Sequence, residues 1–377
     1  MWALIVVSAL ITLVSALVLW VNRQVVHDQG WQDTSAQVIR SPATRAAAAT
    51  YLVDQLYQNV DVKQAIESQL PKNLQHFAGP LSAALRQPAV SAVEAALGRP
   101  RLQRLWIGAT ARAHHQLVNV LENKTGYGIS TGNGVVKIDL DQLVREAGAD
   151  IGLPASVLSR IPTGAGEVTV MRSNQLAAAQ TGFHILTIAN VWLVVLALAL
   201  FALAIDLARG WRREALRGSG WALLVVGLIL LIVRRSLGNY IVGAIAAPDY
   251  RPAIHDIWWI GTSQLSDVGW GLVFYGVVTV VGTILAGPSR WATSLRRHAA
   301  PTIVHRPGVY WGSAAVLYLL VVLWGPTYAL RKSWGILLLA GLSALGLYVF
   351  RRVVERDLTP AATPPAAELD RVKTLPV

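Results

Sequence analysis

The adjacent histidines His114 and His115, in the segment ARAHHQLV, are the first residues that could do chemistry. Neighbouring residues on a helix point about 100° apart, whereas zinc-binding helices carry histidines four positions apart. The positions four residues from each histidine hold no His, Asp or Glu. We therefore expect this pair to serve packing or the surface, and we assign no metal site to it.

Two other histidines directly precede an aspartate, His27 before Asp28 and His255 before Asp256. Residues adjacent in sequence seldom orient one another as an acid-base pair, and we expect both pairs to lie at solvated helix ends. The chain has no G-x-S-x-G motif that would mark a nucleophile. It also has no cysteine, which excludes disulfides and thiolate sites. The sequence thus predicts no catalytic, cofactor-binding or metal-binding residue.

Arg234 and Arg235, in LLIVRRSLGNY, interrupt the end of an apolar run. The plain explanation is that both side chains extend along the helix to the membrane interface. The later segment HDIWWIGTSQLSD, however, leads Asp256 and Asp267 back towards the same interface. We hypothesise that one arginine pairs with Asp267 or Asp256 while the other binds a lipid phosphate, which forms a site for an anionic headgroup.

The composition indicates an integral membrane protein. Apolar residues make up 54% of the chain and charged residues 14%, a balance that is atypical of soluble domains. The formal net charge of +12 comes mostly from arginines beside apolar runs, so we interpret it as membrane-flanking charge. We expect membrane lipids as partners and no binding to nucleic acid.

A bilayer core about 30 Å thick requires roughly 20 apolar helical residues. The chain has six such runs, and we predict a mainly α membrane protein with six transmembrane helices. The domains expected are an anchor at 1–20, an extracytoplasmic domain at 21–184, a five-helix transmembrane bundle at 185–350 and a Pro/Ala-rich tail at 351–377. The predicted spans are Trp2 to Trp20, Ile185 to Ile205, Ser219 to Leu237, Gly269 to Gly287, Val309 to Gly325 and Trp334 to Phe350.

The arginines of the short connections predict the orientation, because cytoplasmic loops retain Lys and Arg. The connections at 206–218 and 287–308 and the start of the tail carry these arginines, and all three lie on one side of a six-span chain. Both termini are then cytoplasmic, and residues 21–184 lie outside the plasma membrane. The arginines expected to contact cytoplasmic lipid headgroups are Arg209, Arg212, Arg213, Arg296 and Arg297.

The first apolar run is predicted to be an uncleaved anchor. Its length of about 19 residues exceeds the apolar region of a signal peptide, about 7 to 15 residues, and no clear A-x-A-like cleavage site follows it. We expect the first helix to remain part of the mature protein.

The exported domain is predicted to be mostly helical. Ser41 and Asp61 are typical helix caps, and Pro42 suits a first helical position. Pro88 predicts a kink or two short helices. The longest helix is expected to begin near Arg99 and to bury one apolar face, made of Leu102, Leu105, Trp106, Ala109, Ala113, Leu117 and Leu121.

A small β element is predicted after this helix, because β-branched residues flank Gly132-Asn133-Gly134. A third strand is expected at 166–171, and two short helices at 141–152 and 154–161. One helix is then expected to run from the domain into the second span.

The predicted spans carry no acidic or basic residue at their centres, which argues against an ion-coupled transporter. Asn190 is expected to form a hydrogen bond between helices. Four glycines would allow close helix contact: Gly276, Gly282, Gly341 and Gly346.

Several segments carry a resemblance when they are taken in order. Between an anchor and further spans that include AGPSRWA, they are VHDQGWQDTSAQVIRSPATRAAAATYLVDQLY, NVDVKQAIESQLP, LQRLWIGATARAHHQLVNVLEN, GNGVVKIDLDQLV and RIP. The chain is similar, over most of its length, to a group of actinobacterial multi-pass membrane proteins of uncharacterised function. The resemblance implies the architecture, and it names no activity.

The leading functional hypothesis is a non-enzymatic envelope protein that acts as a scaffold, a sensor or a partner of other envelope proteins. The alternative is a lipid- or glycan-handling or transport-accessory protein. A third hypothesis is an unrecognised membrane enzyme in which distant His and Asp residues converge. The sequence leaves the oligomeric state open.

Overall fold

A computed structural model describes residues 2–122, 129–130, 135–139, 149, 167–290, 292–294, 298, 306–325 and 333–358. The chain divides into two compact units. The first unit comprises Ile11–Ala197 and Leu230–Ser266, and the second comprises Met1–Leu10, Leu198–Ile229 and Asp267–Val377.

The amino-terminal part of the chain folds into six α-helices. Ser41 Oγ accepts a hydrogen bond from the backbone N–H of Thr44, and Pro42 occupies the first helical position, as predicted. Asp61 caps the next helix in the same way, through the N–H of Gln64. The helices are α1 (Trp2–Val21), α2 (Asp28–Arg40), α3 (Pro42–Asn59), α4 (Val62–Glu67), α5 (Ala78–Leu97) and α6 (Pro100–Leu121).

Helix α5 runs without interruption through Pro88, so the alternative of two short helices is wrong. It packs antiparallel to α3 around Ala49, Val53 and Val90, which are buried. The hydroxyl of Tyr57 donates to the Ser82 carbonyl at 3.0 Å and ties the two helices together.

Helix α6 packs against α2, but its buried face differs from the prediction. Its buried residues are His114 and Val118, while Trp106 is exposed. The reason is that α2 presents the ring of Trp31, which stacks on His114, and the hydroxyl of Ser35, which lies 2.7 Å from Thr110 Oγ1.

In the described part of the chain after α6, three short strands are present: β1 (Ile129–Ser130), β2 (Val135–Asp139) and β3 (Glu167–Arg172). They form an antiparallel sheet in the order β1-β2-β3. The register pairs Ile129 with Ile138 and Asp139 with Glu167, and it shifts between Val136 and Lys137. The helices predicted at 141–152 and 154–161 lie outside the described residues.

Among the residues that the structure describes, four helical segments are long and apolar enough to cross a membrane, which indicates a mainly α membrane protein. They are Trp2–Gln24, Ala178–Leu207, Arg212–Ala244 and Ser263–Leu285. The helices that contain the last three are α7 (Ser173–Leu207), α8 (Arg212–Tyr240) and α10 (Ser263–Leu285). Helix α7 continues from β3 through the second span without a break, as predicted.

The described residues include three further long helices. Helix α9 (Arg251–Gly261) follows α8 and precedes α10 along the chain. The predicted fifth and sixth spans correspond to α11 (Pro307–Trp324) and α12 (Ser333–Leu358). The hydroxyls of Tyr310 and Tyr318 donate to the carbonyls of Leu347 and Ile336, so α11 and α12 form an antiparallel pair.

Within the second unit, α8 and α10 approach closely at glycines. A Cβ placed on Gly276 would lie 2.6 Å from the Leu224 backbone nitrogen, and one on Gly227 would lie 2.7 Å from the Gly269 carbonyl oxygen. The predicted close contact therefore holds at Gly276. At the other three predicted glycines, Gly282, Gly341 and Gly346, a Cβ would meet no atom of the described residues within 4 Å.

Candidate functional site

Helix α9 joins the helical domain to the ends of the apolar spans within the first unit. It packs on α2 and α3, and its Asp256 Oδ2 accepts a hydrogen bond of 2.6 Å from Ser41 Oγ. Its last residue, Gly261, offers its carbonyl to Trp20 Nε1 of α1 at 3.0 Å. Ser41, which caps α3, is thus also bonded to α9, and this contact explains why Ser41 is buried.

Arg234 is bound to α9 and to the residue that follows it. Its Nε donates to Thr262 Oγ1 at 2.9 Å, and its Nη2 donates to the Trp259 carbonyl at 3.2 Å. The guanidinium carbon lies 4.1 Å from the centre of the Trp259 ring, within the range of a cation–π interaction. Trp258 Nε1 donates in return to the Arg234 carbonyl. Arg235 is exposed.

The structure also locates the two aspartates of the predicted site. Asp256 accepts from Ser41 and lies 3.3 Å from Nδ1 of its neighbour His255. Asp267 is half-buried and belongs to the second unit. The ion pair of Arg234 or Arg235 with an aspartate stays a prediction. The contacts to Thr262 and Trp259 were missed, because aromatic and hydroxyl partners carry no charge signal.

A second cluster forms where α2 crosses α6. Asp28 Oδ1 lies 3.1 Å from His114 Nδ1, and Asp28 Oδ2 lies 3.3 Å from His115 Nδ1. The His114 ring stacks on Trp31 with ring centres 4.8 Å apart. The His114 side chain is 2% exposed and that of His115 is 61% exposed.

This cluster corrects one part of the sequence interpretation. His114 does serve packing and His115 does lie on the surface, but Asp28 is more than a solvated helix end, because its carboxylate faces both imidazoles. The pairing joins residues 86 positions apart, so spacing along the chain gives no signal for it. It arises from the packing of α2 on α6.

A cavity of about 290 Å³ opens beside the cluster. Its lining surface is mostly apolar and includes a carboxylate, an imidazole, a guanidinium and two amides. The lining residues are Asp28, Gln32, Ala111, Arg112, His115 and Gln116. No group of three His, Cys, Asp or Glu residues within the described residues is arranged to hold a metal ion.

Three of the five predicted headgroup-binding arginines lie at the connection between α7 and α8. Arg209, Arg212 and Arg213 are exposed, and Arg212 Nη2 lies 3.2 Å from Asp206 Oδ1. Gly210 adopts a positive φ of 86° in the turn between the two helices. Arg296 and Arg297 lie outside the described residues.

Comparison with known proteins finds no matching family model, no matching curated protein and no matching solved structure.

Proposed function

We propose that the chain is a six-span plasma-membrane protein of the cell envelope, with cytoplasmic termini and residues 21–184 outside the cell. The exported domain works without catalysis and binds another envelope protein, as a scaffold or a sensor. The observation that carries this proposal is a row of exposed leucines on α3 and α5, outside the apolar spans. We call this row the apolar surface and define it as Leu52, Leu56, Leu81 and Leu85.

The four leucines share one side of the α3–α5 pair. The helices are antiparallel, since Tyr57 bonds to Ser82 and Arg86 Nε bonds to Asp54 Oδ1 at 3.0 Å. Each leucine directly precedes a residue that faces the partner helix: Val53, Tyr57, Ser82 or Arg86. In an antiparallel pair, residues one position before the contact face lie on the same side of both helices.

Burial of this surface would stabilise a complex. The leucines are between 39% and 50% exposed, and complete burial of a leucine side chain contributes roughly 1.5–3 kcal/mol. Contiguous exposed apolar residues on a water-facing domain are typical of interaction sites. A scaffold or a sensor requires such a contact, whereas catalysis would require converging reactive groups.

A site-specific crosslink tests the proposal. A photo-crosslinking amino acid replaces Leu56 in the chain expressed at its native level, and the control places it at Tyr51, which is equally exposed on α3. We expect one discrete heterologous adduct from position 56 that is lost in the Leu52→Asn/Leu85→Asn variant. No adduct, or the same adducts from positions 51 and 56, would contradict partner binding at this surface.

The cavity beside Asp28 favours a second function, the handling of a polar lipid headgroup or a glycan. Its lining combines mostly apolar surface with a carboxylate, a guanidinium, an imidazole and two amides, a combination that small-molecule sites use. Mass spectrometry of the purified protein should then show a defined species that the Asp28→Asn variant loses. If both proteins carry only the bulk lipid mixture, this function is wrong.

A further inference from the structure

We propose that a cluster of arginines on the domain binds the anionic phosphate headgroups of the leaflet next to it. We call this cluster the basic surface and define it as Arg40, Arg45, Arg99, Arg101 and Arg104. The inference needs only that the apolar helices span a membrane. It does not depend on which side the domain occupies or on a protein partner.

The fold gathers these arginines at one end of the domain. Asp28, at the start of α2, meets His114 near the end of α6, so α2 and α6 are antiparallel and Arg40 lies near the start of α6. Arg45 Nη1 donates to the Arg40 carbonyl at 2.6 Å. Arg45 Nε also lies 3.8 Å from where a Cβ of Gly98 would stand, directly before Arg99.

The positive charge of these arginines is balanced by few acidic side chains nearby. Arg40, Arg99, Arg101 and Arg104 are exposed, and none of these four forms an ion pair with the residues that the structure describes. Helix α6 contains no acidic residue. The carboxylates close to this end are the half-buried Glu94, one turn before Gly98, and Asp256, which accepts a hydrogen bond from Ser41 beside Arg40.

The position of the arginines on α6 cannot be explained by helix stability. The amino-terminal end of a helix carries a partial positive charge, which favours acidic residues and disfavours cations. Three arginines nevertheless stand at or beside the first turn of α6, which has no acidic residue. A bound external anion would offset this repulsion, because it would interact favourably with the arginine side chains and with the amino-terminal end of the helix.

Contacts through α9 connect the basic surface to the end of the first apolar span. Arg40 adjoins Ser41, which bonds to Asp256. Five residues further along α9, about 8 Å at 1.5 Å per residue, Gly261 bonds to Trp20 at the end of the first apolar span. Tryptophan at a span end is typical of the membrane interface, and anionic headgroups there attract arginines.

The experiment uses the complete chain in lipid nanodiscs. Because the chain has no cysteine, a Gln37→Cys substitution places a single fluorophore on α2, one turn before Arg40. Nitroxide-labelled headgroups quench the fluorophore at short range. Quenching is compared between phosphatidylcholine discs and discs that contain phosphatidylglycerol, with the same amount of labelled lipid in both.

We expect quenching to be about twofold or more stronger in the anionic discs, and this excess to disappear at high salt. Arg99→Gln/Arg101→Gln should abolish the excess. Lys63→Gln/Lys72→Gln, which removes the same charge from other exposed positions, should retain it. Both variants must keep the wild-type helical content and thermal midpoint.

Two results would overturn the proposal. One is equal quenching in neutral and anionic discs. The other is equal loss of the excess in the two double variants, which would indicate a general effect of net charge. If quenching does not depend on the lipid and the arginine variant instead loses binding to soluble polyphosphate, the surface recognises a soluble anion and the membrane proposal is wrong.

Discussion

At the residue scale, two neighbouring arginines occupy different environments. Arg234 binds Thr262 and Trp259 at the end of α9, and Arg235 is exposed. The sequence predicts that this pair is unusual, since arginines seldom interrupt a span. It could not distinguish the two residues, because their roles depend on how α9 packs against α8. The exposed Arg235 is the better candidate for the predicted phosphate contact.

The first prediction compares these two arginines. Arg234→Gln should lower the free energy of unfolding by roughly 1–2 kcal/mol, because it removes charge-assisted hydrogen bonds and a cation–π contact. The matched Arg235→Gln variant should change stability by less than about 0.5 kcal/mol. Thermal unfolding in one detergent measures both. Equal losses would show that the contacts of Arg234 contribute nothing specific.

The second prediction concerns Ser41, which caps α3 and bonds to Asp256. Ser41→Ala should destabilise the protein by about 1–2 kcal/mol, since it removes a helix cap and leaves Asp256 without this donor. The control is Ser68→Ala, because Ser68 is exposed and bonds only locally to the Ala65 carbonyl. An unchanged midpoint for Ser41→Ala would mean that α9 does not hold the domain through this bond.

At the element scale, capping residues in the sequence predicted where helices start. The buried face of a helix, in contrast, depends on its tertiary packing. Ser41 with Pro42 and Asp61 begin helices as predicted, because capping depends on a few adjacent residues. The buried face of α6 was misjudged, because a ranking by apolar character places His114 outside the core. The stacking of Trp31 and the carboxylate of Asp28 bury this histidine, and neither is visible from the sequence of α6.

The third prediction tests the glycine contact between α8 and α10. Gly276→Val should weaken their packing, since even a Cβ would overlap the Leu224 backbone, and we expect a loss of about 1–3 kcal/mol. Gly282→Val on the same helix is the control, because a Cβ there meets none of the described atoms within 4 Å. The thermal midpoint should fall for the first variant alone. Equal shifts would assign the loss to helix propensity.

At the scale of the whole molecule, composition and charge predicted a membrane protein, and four apolar helices support that class. The orientation rests on an arginine bias, which is a statistical property of loops and leaves no contact in the folded chain. The apolar surface could not be predicted from the sequence, since Leu52 and Leu85 become neighbours only when α3 and α5 pair. The proposed function therefore depends on the side of the membrane that the domain occupies.

The fourth prediction concerns the arginines between α7 and α8. Simultaneous replacement of Arg209, Arg212 and Arg213 by Gln should loosen or invert the neighbouring spans, because near-surface arginines contribute about 1 kcal/mol each through anionic lipid. A matched triple replacement at Arg99, Arg101 and Arg104 should leave orientation unchanged. A reporter fused to the carboxyl terminus measures the fraction inverted. Identical topology in both variants would show that another signal orients the chain.

The most direct test of the account is the labelling of single cysteines, which the absence of native cysteine allows. Gln69→Cys lies at an exposed position of the domain, and Trp211→Cys lies at the exposed turn between α7 and α8. A membrane-impermeant maleimide should label Gln69→Cys in intact cells and should label Trp211→Cys only after the membrane is opened. Protection of Gln69→Cys in intact cells, or labelling of Trp211→Cys there, would contradict an exported domain.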